Sequence, residues 1–153
     1  MTIFEQTLRE VIASVNLVAN RVYLMRSPQV ASSQVIVPYV VFTPVGAITY
    51  DSQSGPSQLI QRDYQLSIFD TSQSRALAIA DSYRIRLGGL PAGLVVDPYQ
   101  INSCFFITQS SGWENEDEYF QVIQQYRIMH RNLARPTPYT APLTAVNPAR
   151  QEK

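Results

Sequence analysis

The sequence has little charge and almost no lysine. Only 16% of its residues are charged, against about 25% in a typical soluble domain, and the formal net charge is zero. Eleven of the twelve basic residues are arginine, and the one lysine is Lys153. A net basic surface, which nucleic-acid readers normally carry, is therefore not indicated.

Low charge with many arginines and almost no lysine is typical of a chain covered by other subunits. Free surfaces are rich in lysine, whereas interfaces favour arginine and tyrosine, and tyrosine occurs nine times here. An organism-wide bias in composition is the alternative explanation.

One cysteine and one histidine limit the possible chemistry. Cys104 alone excludes an internal disulfide framework and a cysteine-based zinc site, and it is typical of a chain made in a reducing cytoplasm. His130 alone excludes a histidine-rich metal site, and nothing in the sequence places a serine and an aspartate around it. No HExxH, GxSxG, Walker or dinucleotide-binding motif occurs, and the glycine-rich stretch at 88–93 follows a helix instead of opening one. We therefore predict that the protein is not an enzyme and binds no metal or cofactor.

Long hydrophobic runs are also missing. No run reaches the roughly 18 apolar residues of a membrane span, and the amino-terminal stretch MTIFEQTLRE lacks the basic region of a signal peptide. We expect no membrane partner. The 153 residues, 45% of them hydrophobic, are enough for one domain with its own core.

Hydrophobic periodicity predicts two helices. Apolar residues recur at helical spacing through residues 3–18. A second helix starts after Asp70 or Thr71, either of which can cap it, and it ends at the glycines of positions 88–89. Its predicted buried face consists of Ala76, Ile79, Ala80, Tyr83 and Leu87.

Five strands are predicted from residue-type runs, alternation and turn signals. They span residues 21–25, 35–45, 59–69, 100–109 and 118–131. Glycine, serine and proline indicate a long hairpin arm at 46–58, and the last two strands form a hairpin whose turn, 110–118, has an acidic tip. Pro38 and Pro44 belong at strand ends or on a sheet edge, because proline cannot donate to the ladder.

The carboxyl-terminal segment differs from the rest of the chain. Residues 134–153 hold four of the ten prolines and show neither a helical nor a strand period. They predict an extended, polyproline-like arm, which we expect a neighbouring subunit to hold. The predicted organisation is one α+β domain, 1–133, followed by this arm.

The order of these elements resembles the tail terminator, or tail-completion, proteins of long-tailed bacteriophages. An amphipathic helix and an RVY strand lead to the strand PYVVF, and a long hairpin precedes a strand ending QLSIFD that runs into the helix TSQSRALAIADSYRIRL. The resemblance covers residues 3–131, and the proline-rich arm is not a general feature of the family. The core signature residues are Pro38, Tyr39, Val40, Val41, Phe42, Tyr64, Leu66, Ile68, Ala76, Ile79 and Tyr83.

The resemblance implies an α+β fold in which two helices pack on an antiparallel or mixed sheet of about five strands. It also implies a homo-oligomeric ring, usually a hexamer, in the virion neck at the top of the tail, made in the cytoplasm of the bacterial host. Such a ring binds the tail tube protein, stops tube polymerisation and joins the tail to the head–tail connector or stopper protein. Genomic DNA passes through it without specific binding.

Three other functions stay open. A head-completion or stopper protein of the same neck has the same size, composition and lack of catalytic motifs. A small enzyme with an unfamiliar pocket and a host adaptor or regulatory module represent other classes of protein.

Three segments carry turn residues and little core, so we predict that they contact partners: 46–58, 110–118 and 134–153. The candidate interface residues are Tyr50, Asp51, Trp113, Glu114, Glu116, Asp117, Glu118, Arg135, Pro136, Tyr139 and Leu143. Ordinary solvated loops are the alternative for each segment. The acidic tip lacks the pattern of an EF-hand loop, and on the rim or channel of a ring its charge would keep DNA from adhering.

Overall fold

Four long strands form the centre of one mixed sheet. The computed structural model describes residues 3–15, 18, 21–26, 35–52, 55–88, 94–96, 99–114 and 118–132. Its elements are α1 (Ile3–Ala13), β1 (Val22–Leu24), β2 (Tyr39–Ser52), β3 (Gly55–Asp70), α2 (Gln73–Gly88), β4 (Leu94–Val96), β5 (Tyr99–Glu114) and β6 (Tyr119–Asn132). The strand order is β1-β2-β3-β6-β5-β4. β1 pairs with β2 in parallel, and every other neighbouring pair is antiparallel. The predicted α+β class is confirmed.

Alternation along β3 and β6 decides which face carries the core. Tyr64 lies opposite Tyr126, and Ile68 lies opposite Val122, so buried residues of both strands share one face. Both helices cover this core face, because the ring of Phe4 in α1 contacts Tyr64 and α2 contributes its predicted face. The buried residues of α2 are Ala76, Ile79, Ala80, Tyr83 and Leu87.

The two helices are joined by a buried hydrogen bond. The hydroxyl of Tyr83 donates to the carbonyl oxygen of Ile12 over 3.1 Å. Burial raises the pKa of Tyr83, so this hydroxyl keeps its proton and remains a donor.

The predicted first helix is too long, since α1 ends at Ala13 rather than at residue 18. The hydroxyl of Ser14 donates to the carbonyl oxygen of Val11 over 2.6 Å, and the amide of Ser14 bonds to the carbonyls of both Glu10 and Val11. Serine side chains compete with the helical backbone in this way, and the chain leaves the α-helical path here.

The predicted caps of α2 are also corrected. Ser72 is the residue before the helix, and its Oγ accepts a hydrogen bond from the amide of Arg75 over 3.4 Å. Asp70 supports this cap from within the sheet, since it accepts from the amide of Ser72 and from the guanidinium of Arg75.

The predicted hairpin arm 46–58 is largely a paired ribbon in the structure, and the predicted turn 110–118 is partly strand. β2 and β3 pair as far as Ser52 and Gly55, so most of the predicted arm 46–58 is a two-stranded ribbon. β5 likewise pairs with β6 up to Glu114, so the first five residues of the predicted turn 110–118 belong to a strand. A sixth strand, β4, pairs with the start of β5 and was not predicted.

The two prolines of the opening strand lie where a missing donor is tolerated. Pro38 directly precedes β2, after a cis Val37–Pro38 bond. Pro44 lies within β2 beside a register shift, past the residues that pair with β1.

Candidate interaction surface

The face of the sheet opposite the helices, here called the open face, is polar but almost uncharged at its centre. It is formed by alternate residues of β3 and β6: Gln61, Asp63, Gln65, Ser67, Gln121, Ile123, Gln125, Arg127 and Met129. The two charged groups among these neutralise each other, because the guanidinium of Arg127 donates two hydrogen bonds of 2.9 Å to the carboxylate of Asp63. Neither described helix lies on this face.

A small apolar cluster of the open face lies at the β1–β2 side. The rings of Tyr39 and Phe69 stack with their centroids 4.8 Å apart, and Tyr23 packs edge-on against Tyr39. Tyr39 and Val41 of the core signature therefore point away from the main core, while Val40 and Phe42 are buried in it.

The two long outer strands carry most of the exposed apolar side chains. β1 pairs only with residues 40–42 of β2, and β4 pairs only with residues 99–101 of β5. Beyond these, no described residue pairs with the outer side of 43–52, here called the β2 edge, or of 103–114, here called the β5 edge.

Six of the nine large hydrophobic residues exposed in the described part of the chain lie on these two edges. They are Val45, Ile48 and Tyr50 on the β2 edge, and Phe105, Ile107 and Trp113 on the β5 edge, each between 40% and 54% exposed. An exposed, uncharged strand edge bearing such residues is a ready site for pairing with another chain.

The structure places part of the predicted interface on these edges. Tyr50 lies on the β2 edge, where its hydroxyl donates to Oε1 of Gln61 over 2.6 Å. Trp113 lies on the β5 edge, and its ring packs edge-on against Phe120 at 5.3 Å between centroids. Asp51 is paired with Pro56 in the ribbon.

The predicted acidic tip is only partly described. Glu114 and Glu118 are exposed on either side of the turn. The remaining predicted interface residues, Glu116, Asp117, Arg135, Pro136, Tyr139 and Leu143, lie outside the described residues.

The described parts of two predicted interface segments, 46–58 and 110–118, do not form one patch. The β2–β3 turn lies beyond the pair of Leu59 and Arg131, whereas the acidic tip lies beyond the pair of Asp70 and Phe120. These two pairs are separated by about 36 Å at the usual rise per strand residue. The two ends of the sheet therefore differ in sequence, with Glu114 and Glu118 at one end and Asp51 at the other.

His130 and Cys104 face the core side of the sheet. The imidazole is fully buried, stacks on Phe4 at 4.3 Å, and has no hydrogen-bond partner among the described residues. Burial, together with the positive charge of Arg62, lowers the pKa of His130 to about 4. Burial raises the pKa of the Cys104 thiol to about 12. Near neutral pH the histidine is unprotonated and the cysteine is no thiolate, so the pair does not form an activated nucleophile.

The described part of the chain shows no grouping of three His, Cys, Asp or Glu side chains suited to a metal ion. Among the same residues, no helix is long and apolar enough to cross a membrane.

Sequence reasoning missed the apolar part of both edges, including Val45, Ile48 and Phe105. Their residue types are those of ordinary strand residues, and only the strand order shows that their neighbours on one side are lacking. One sequence feature could have indicated these edges: apolar residues continue along both strands beyond the positions that the core requires.

Comparison with known proteins gives a fold match and no family. No protein-family model matches the chain, and no curated protein matches it. Among solved structures, the chain is similar to a chain from the virion of a native gene transfer agent (GTA) particle, with a TM-score of 0.61. The match covers 85% of this chain and 92% of that one, and the two sequences are 18% identical. The two chains therefore share a fold along almost their whole length.

Proposed function

We propose that this chain is a structural component of a phage-like virion, and that it acts as the tail terminator in the neck. The observation that carries the proposal is the fold shared with a chain of the GTA virion, over 92% of that chain. It agrees with the family resemblance in the sequence, and the chemistry of His130 and Cys104 gives no support to an enzyme.

In the proposed ring, helices lie outside and the open face lines the channel. DNA is held mainly by lysine and arginine, which contact its phosphates. The described residues of β3 and β6 on the open face include two arginines: Arg127, which pairs with Asp63, and Arg131 at one end of the row, opposite Leu59. A channel lined in this way lets DNA pass without adhering.

The different ends of the sheet suit termination. A terminator has to match the last ring of tail tube protein on one rim and present another surface on the other rim, so that no further tube ring adds. Glu114 and Glu118 belong to one end, about 36 Å from the pair of Leu59 and Arg131 near the other. We propose that one rim meets the tube and the other meets the connector or stopper protein.

The experiment that tests this function is electron microscopy of particles made without the protein. We expect tails of uncontrolled length, or tails that are not joined to heads, because nothing caps the tube. Re-supplying the intact chain should restore joined tails of uniform length. Normal tails on intact heads would refute the neck function.

A stopper on the head side of the same joint is the second candidate, since it needs the same nearly uncharged channel. The same micrographs separate the two candidates. Empty heads that have leaked their DNA, next to tails of normal length, indicate a stopper.

A further inference from the structure

We propose that the β2 edge of one copy pairs with the β5 edge of the next copy, so that the sheets of neighbouring subunits form one continuous antiparallel belt. The partner is a second copy of this chain. The inference rests on the proposed ring for its closure, whereas the pairing itself follows from the two edges.

Within the described residues, neither edge is protected by lysine, by a row of charges or by being short. Monomeric proteins protect edge strands with lysine, with inward-pointing charges, or by keeping them short. Each edge here is at least ten residues long and contains one charged residue, Asp51 on the β2 edge and Glu114 on the β5 edge. Pro44 and two register shifts, one beside it and one between Thr49 and Asp51, interrupt the regular ladder of the β2 edge, and one shift between Phe106 and Thr108 interrupts the β5 edge.

The strand directions fit a seam between copies. The long strands run in the order β2-β3-β6-β5, and each is antiparallel to its neighbour. β2 and β5 therefore run in opposite directions within one copy. When a cyclic rotation places the next copy alongside with its strands inclined to the ring axis in the same sense, its β2 is antiparallel to the first copy's β5. An even number of alternating strands lets this pattern repeat at every seam and close.

The positions of the two edges require a stagger, and the stagger has a reasonable size. Measured along β3, the β2 edge runs from the level of Gln65, opposite Thr43, to the level of Gly55, opposite Ser52. The centre of the β5 edge lies about six residues nearer to the carboxyl end of β3 than the centre of the β2 edge. Facing the two edges therefore shifts neighbouring copies by roughly 20 Å along the strands, over a four-strand width of about 19 Å. The resulting strand tilt of roughly 45° is close to the 35–45° of closed barrels.

The seam would bury the exposed apolar side chains from both sides. Ile48 and Tyr50 from one copy would meet Phe105 and Ile107 from the next, with main-chain hydrogen bonds between them. Cross-strand contacts between aromatic and β-branched residues are among the favourable pairs in antiparallel sheets. Side-chain contact and backbone pairing thus favour the same partner.

Site-directed cross-linking tests the seam. In a Cys104→Ser chain, which has no other cysteine, Ala47→Cys marks the β2 edge and Ser111→Cys marks the β5 edge. Both positions are exposed, and their cross-strand partners Arg62 and Val122 lie on the core face, so the two thiols share one side of the belt. The two purified variants are mixed at the highest concentration at which they stay soluble and treated with a short bifunctional maleimide.

We expect the yield of covalent dimers in the mixture to exceed that from either variant alone by roughly tenfold or more. The reason is that pairing of the two edges raises the effective concentration of one thiol near the other. The control replaces one partner by Asp81→Cys, on the exposed side of α2, and should give no excess. Equal thermal unfolding midpoints of the three variants show that each is folded. A chain carrying both edge cysteines should give a ladder of multimers.

The seam is overturned if the mixture gives no excess of dimers. It is also overturned if Ser111→Cys or Ala47→Cys alone gives the dimers, because like edges then pair with each other. Dimers in the mixture together with normal tails in particles lacking the protein would keep the seam and refute the neck function. Disturbed tails in particles lacking the protein, together with no excess of dimers in the mixture, would keep the neck function and refute the seam.

Discussion

At the scale of single residues, His130 is the most unusual group in the core. Its ring lies between Phe4 and Tyr99, with centroid distances of 4.3 Å and 5.3 Å. A charged imidazole at this position would lose its hydration and lie near the guanidinium of Arg62, so the pKa of His130 falls to about 4 from its ordinary value of 6.5. The folded protein therefore holds this histidine in its neutral form.

We expect the protein to lose stability as the pH falls from about 6.5 towards 4. The unfolded chain binds the proton at the higher pKa, so acid favours unfolding, and stability due to neutral His130 is fully present only above pH 6.5. The full loss from this one group is at most about 3 kcal/mol. Urea unfolding at a series of pH values from 7 to 4 measures it.

The matched control for His130 is His130→Phe, which keeps an aromatic ring against Phe4 but cannot titrate. All other ionisable groups are the same in the two proteins, so only the difference between the two pH profiles reports on the imidazole. Identical pH slopes in the two proteins would show that His130 is not the cause.

At the scale of elements, α2 depends on a side-chain cap outside its first turn. We expect Ser72→Ala to lower the free energy of unfolding by about 1 kcal/mol, because the amide of Arg75 loses the acceptor that Ser72 provides. Ser82→Ala is the comparison variant, since that hydroxyl only donates back to Ala78 within the helix. Chemical denaturation of both variants gives the two values, and an equal loss would contradict a capping role for Ser72.

The sequence predicted those elements whose signal lies within one segment. The buried face of α2 follows from the spacing of Ala76, Ile79 and Tyr83, and the alternation of β3 follows from Tyr64, Leu66 and Ile68. A 3.6-residue or two-residue period is set by local geometry, so it can be recognised without knowing any neighbour.

The length of the hairpins could not be predicted in this way. Gly46, Gly55 and Pro56 have low intrinsic preference for strands, yet all three are paired in the ribbon of β2 and β3. Cross-strand pairing there outweighs local preference.

The candidate surface was only partly predictable for a related reason. The sequence predicts Tyr50 and Trp113 as interface residues because their segments contain turn residues and few core residues. β2 and β5 are outer strands because β3 pairs with β6 between them. That pairing places Tyr64 opposite Tyr126, and these two residues are far apart in the sequence. No local pattern reports which strand is outermost.

At the scale of the whole molecule, the role of the carboxyl-terminal segment is a proposal that a truncation can test. The described buried side chains lie between Phe4 and His130. From the proline-rich composition of 134–153 we propose that this segment is an arm that contributes to assembly and not to the folding of the domain, 1–133.

A chain truncated after Leu133 tests this division. We expect its free energy of unfolding to stay within about 0.5 kcal/mol of the intact chain, as for other changes away from the core, because no described buried group is removed. Truncation after Gln125 is the contrasting control, since it also removes Tyr126 and Ile128 from the core and should prevent folding. Thermal unfolding followed by circular dichroism compares the three chains. If the shorter deletion alone abolishes the cooperative transition, the segment after Leu133 belongs to the domain; if the transition survives while ring formation is lost, the segment holds neighbouring subunits together.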